Sequence, residues 1–177
     1  MPTRTARRRV GFVGVVHRIA SCWAIGGGVL LLLIALMSVG SVLGGVLLDR
    51  PFPGDFELVQ MGVAIAAFSF LPYAQVSGAN VTADIFTARA SRRTQAAVAL
   101  MAAVTALGFS LLLLWRMGAG LLDYRRYEET TAILDIPHWL AFLPILVSLG
   151  LLALAAIATL LKTCGRGQDR RPSLGRP

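Results

Sequence analysis

Residues 56–84 read FELVQMGVAIAAFSFLPYAQVSGANVTAD. No charge falls between Glu57 and Asp84. About 20 apolar residues cross the roughly 30 Å hydrocarbon slab of a bilayer, so this stretch is long enough to span one. Its polar residues gather at its ends. Glu57 and Gln60 share a helical face at the start, and Asn80 and Asp84 share one at the finish. Pro72 interrupts the middle, and Gln75 follows about one turn later. Pro72 has no N–H to donate and frees the Phe68 carbonyl, which predicts a kink. Polar pairs at both membrane surfaces, with a proline between, describe a helix built to dock against something.

Working outward, three more uncharged runs pass the length needed to cross a membrane. The expected spans are 19–48, 57–83, 94–115 and 136–161. They fill most of the 177 residues, and only 15% of the chain is charged. The reading is therefore an all-α membrane protein of four transmembrane helices in one domain. A basic tail (1–18) precedes it and a disordered polar tail (162–177) follows. The first run far exceeds the 7–15 apolar residues of a signal peptide, so it is read as a retained span. At about 45 Å if fully helical, it must tilt or protrude.

Several finer features follow. Gly40 and Gly44 form a G-x-x-x-G, the spacing that lets helices approach closely. Pro51, Pro53 and Gly54 predict a tight turn between the first two spans. Short interfacial helices are allowed in two places, around Val10, Val13 and Val16 and around Ile85 and Phe86. Trp115 is expected to mark a membrane surface, which leaves 116–135 as the longest loop. Its segment LLDYRRYEE suits a surface helix. The fourth span opens on Pro137, His138 and Trp139 and carries Pro144.

The formal charge is +8, but its placement argues against nucleic-acid binding. Of the 17 Lys and Arg residues, 13 lie in the two tails and the 84–93 loop, and four lie in the alternate segments. That asymmetry places both termini in the cytoplasm and the acidic loops outside.

Chemistry is scarce. No expected span holds an ionisable residue in its interior, where such groups mark ion pathways and proton relays. A proton-coupled exporter needs a buried carboxylate, a haem bundle needs interior histidines, and a disulfide oxidase needs paired cysteines. His17 and His138 stand at span edges, and Cys22 and Cys164 form no metal or redox motif. No catalytic residue and no cofactor is expected. The candidates for contact with a partner are Glu57, Gln60, Gln75, Asn80 and Asp84, with the Gly40–Gly44 face. The residues fit an accessory membrane subunit. A self-sufficient homodimeric four-helix carrier is the alternative, and a membrane redox enzyme a more distant one.

The chain also resembles the small permease subunit of tripartite ATP-independent periplasmic (TRAP) transporters. The four-span plan carries the resemblance, and three local matches support it. Glu57 and Gln60 are similar to the family's E-x-x-Q. Residues 77–84, SGANVTAD, are similar to its G-x-H-I-x-V-D, with Asn80 where many members have His. Pro137, Trp139 and Pro144 are similar to its fourth-span prolines and tryptophan. The resemblance implies a large multi-span permease subunit and a periplasmic solute-binding protein as partners. It implies sodium-driven uptake of an organic acid across the bacterial inner membrane. The large subunit would carry substrate and ions, and this chain would widen and anchor the fixed scaffold.

Overall fold

The computed structural model describes residues 4–77 and 92–168. Four helices run through them: α1 (Arg4–Leu48), α2 (Asp55–Ser77), α3 (Arg92–Arg126) and α4 (Trp139–Gln168). Each is long and apolar enough to cross a membrane, over Val13–Leu48, Asp55–Ser77, Leu100–Arg126 and Trp139–Leu161. No strand is present among the described residues beyond one isolated bridge, Thr130 to Pro137. The four-helix expectation holds.

Two helices are longer than the uncharged runs. α1 continues back to Arg4 without a break, so the short helix allowed near Val10–Val16 is the first part of a 45-residue helix. Nothing between Arg4 and Ile19 removes a backbone donor, and arginine is a good helix former. α3 likewise passes Trp115 and ends at Arg126. Leu121 and Leu122 keep its apolar character going after the first arginine. Of the LLDYRRYEE segment expected as a surface helix, residues 121–126 are the last turns of α3 and 127–129 begin the connecting loop, which shrinks to residues 127–138.

The hub of the bundle is α4. It packs against α1, α2 and α3, while α3 touches no other described helix. Buried residues make up 39% of the most apolar window of α4 and 11% of those of α1 and α3. Small side chains explain the difference. Ala153, Ala155, Ala156 and Ala158 are all buried and let three neighbours come near the α4 backbone. At the far end of the bundle Val16 packs with Ala155 and Ala158, and Val13 and Val76 cover them.

α1 and α2 form an antiparallel hairpin through glycines other than the expected pair. A Cβ on Gly27 would lie 2.7 Å from the Ser69 Cβ, and one on Gly62 would overlap the Ile34 side chain. Gly40 meets no neighbour at all. A Cβ on Gly44 would sit 2.9 Å from the Arg50 carbonyl, in its own loop. Among the described residues the G-x-x-x-G therefore packs no helix. Gly44 instead lets the 49–53 segment fold back over the end of α1, where Arg50 N donates to the Gly44 carbonyl. Pro72 is fully buried inside α2, and α2 continues through it.

Candidate functional site

The polar residues concentrate at the end of the bundle where α1 and α3 finish and α2 and α4 begin. Ser41, 4% exposed, is the pivot of the first turn. Its hydroxyl donates to Asp55 Oδ2 at 2.5 Å and accepts from Phe52 N at 3.1 Å. Gly54 precedes α2 with φ +77, a left-handed conformation that favours glycine. A Cβ there would overlap Leu134, so the same residue also admits the second loop.

That second loop is a small hairpin. Thr131 N donates to the Ile136 carbonyl and His138 N to the Glu129 carbonyl. Ile136 N closes on the hydroxyl of buried Thr131 at 3.1 Å. Its tip is held from outside. Glu57 Oε1 accepts from Ile133 N at 2.8 Å, and Oε2 accepts from Leu134 N at 3.1 Å. One carboxylate in the first turn of α2 thereby ties the α3–α4 connection to the α1–α2 hairpin. Carboxylate bonds to backbone N–H groups are charge-assisted and shorter than neutral ones.

The buried polar residues among those described are Ser41, Ser69, Ser110, Thr131 and Ser148. Ser69, Ser110 and Ser148 donate to carbonyls of their own helices at 2.8 Å. Trp23 Nε1 also donates to Ser148 Oγ at 2.8 Å, joining α1 to α4.

The register of α3 on α4 is fixed by aromatic contacts. The Tyr124 ring lies 5.1 Å from Phe142 and 5.7 Å from His138. The Arg125 guanidinium stands 5.9 Å over the Trp139 ring. The last turn of α3 is therefore level with the first turn of α4, where the fourth span begins. Arg116 precedes Tyr124 by eight residues, so it sits about 12 Å deeper along α3. The candidate span Leu100–Arg126 includes Arg116, beyond the expected end at Trp115. Arg116 is exposed on the bundle's outer surface, next to Trp115, which is 73% exposed. No hydrogen bond or ion pair engages its side chain among the described residues.

The expected contact residues are thus scattered. Glu57 serves an internal clamp. Gln60 is exposed one turn below it, and Gln75 is half-buried near the opposite end of α2. Gly40 is open, and Gly44 is taken by its own turn. Asn80 and Asp84 lie outside the described residues. Sequence reasoning missed Ser41, Trp23, Thr131 and Arg116. The triple glycine 26–28 signalled the α1–α2 contact.

Comparison with curated proteins and with solved structures finds no match. A protein-family comparison matches residues 34–165 to "Tripartite ATP-independent periplasmic transporters, DctQ component". The match runs from the middle of α1 through the end of the fourth span and includes both polar loops. The chain belongs to the DctQ family: it is a multi-pass small membrane subunit of the TRAP transporters.

Proposed function

We propose that this chain braces the large permease subunit of a TRAP transporter in the bacterial inner membrane. The complex takes up an organic acid, delivered by a periplasmic solute-binding protein and driven by sodium. Both termini face the cytoplasm, and the 127–138 hairpin faces the periplasm. Gln60, Gln75, Asn80, Asp84 and the open Gly40 face are the partner contacts, and Glu57 shapes the surface around them. One observation carries the reading: the buried polar groups of the described bundle are all hydroxyls, and none can take up or release a proton or neutralise a cation. Such a bundle supports a moving partner without supplying the coupling site. The asymmetry of 13 against four basic residues supports the orientation.

The test is reconstitution. Vesicles holding this chain with its large subunit and binding protein take up a carboxylate when a sodium gradient is imposed. Vesicles holding this chain alone do not. Flux by the chain alone favours the homodimeric carrier instead. Replacing Asn80 by Leu together with Asp84 by Ala lowers the yield of the complex. Normal yield and uptake in that double variant remove both from the contact set.

A further inference from the structure

No described residue pairs with Arg116, which lies about two turns back from the end of α3 that is level with the start of α4. It shares one flank of α3 with Thr105, Phe109 and Leu112, at intervals of four, three and four residues, and all four are exposed. Among the described helices, α4 alone covers α3. Escape to the near surface is opposed by geometry. Side chains on a helix lean toward its N-terminus, and the N-terminus of α3 lies at the opposite end of the bundle. Asp123, on the same flank, is about 10 Å further toward the loop, away from the direction in which Arg116 leans.

We propose that Arg116 lies within the membrane and that this flank is the seat of a transmembrane helix of the large subunit, which presents a carboxylate at the same depth. The proposal rests on the TRAP reading above. Charge complementarity selects the occupant. Ionisable groups at membrane depth pair with one another or line a polar cavity. Lipid tails offer no acceptor, and an outer headgroup would have to descend about 12 Å to reach the guanidinium. A second copy of this chain is the wrong partner. Two copies in one orientation, related by a two-fold axis along the membrane normal, would set Arg116 against Arg116 at equal depth. The planar guanidinium suits a bidentate bond to a carboxylate, and Thr105, Phe109 and Leu112 supply the apolar seam around it.

The experiment uses the full chain, tagged and co-expressed with its large subunit. Arg116→Leu lowers the co-purified large subunit at least about tenfold, as loss of one member of a buried charge pair does. Arg116→Lys retains more than Arg116→Leu. The tagged chain expressed alone keeps its yield and melting temperature in both variants, since no internal contact is lost. A photo-crosslinking amino acid in place of Leu112 gives an adduct with the large subunit in intact membranes. Undiminished complex in Arg116→Leu, with no adduct at Leu112, overturns the proposal. So does an intact complex that has lost bound phospholipid in Arg116→Leu, which would assign the arginine to a headgroup. If the unaltered chain retains no large subunit at all, the TRAP reading fails with it.

Discussion

Glu57 shows how a residue can be found in a sequence while its partners within the chain stay hidden. Its place at the head of α2, three residues before Gln60, was visible, and so was its likeness to a family motif. Its partners, the Ile133 and Leu134 amides, stand 76 and 77 residues away and are backbone groups, which no spacing rule reveals. Glu57→Gln keeps the size and removes the charge. It is expected to speed hydrogen exchange at the amides of Ile133 and Leu134 while those of α4 stay protected. Equal exchange in both proteins would remove the clamp. Ser41 makes the sharper stability case because it is buried and serves two partners. Ser41→Ala strands the Phe52 N–H and one Asp55 oxygen and should cost about 1–3 kcal/mol in denaturant unfolding. Trp23→Phe removes a single interhelical bond within the membrane and should cost no more than about 1.7 kcal/mol.

The helices themselves were legible as uncharged runs, and their number follows from length alone. Their ends were not, because charge is a poor stop signal when an amphipathic turn continues the helix. α3 overran its expected end at Trp115 for this reason. The packing glycines follow a related rule. Small-residue spacing marks where a backbone is able to approach another, and only the partner decides where it does. Gly40–Gly44 has the spacing, yet Gly27 and Gly62 make the close approaches. Gly62→Val tests this at the α1–α2 seam. Its new side chain meets Ile34 and should destabilise the hairpin by about 1–3 kcal/mol. Combining it with Ile34→Ala opens the space again and should recover part of that loss, which a double-mutant cycle measures as coupling. Gly40→Val, facing open space, should leave the isolated chain unchanged.

For the molecule as a whole, composition and charge placement led to a multi-pass membrane subunit, and family membership agrees. Orientation remains a prediction with a direct check. With Cys22 and Cys164 changed to Ser, Ala132→Cys in the exposed hairpin should react with an impermeant maleimide added outside spheroplasts. A cysteine added after Pro177 should react only after lysis. The reverse pattern inverts the topology. The arrangement of helices around α4 also bears on how the protein is made. α4 leaves the ribosome after the other described helices, yet α3 has no other described helix to lean on, and α1 and α2 pack on α4 as well as on each other. During synthesis α3 must wait in the translocon or in lipid, an orphan exposing Ser110 and Arg116, until the final helix arrives. Nascent chains halted before Trp139 should therefore hold α3 apart from the first hairpin and fall to membrane quality-control proteases, and release of a single further helix should rescue all three at once.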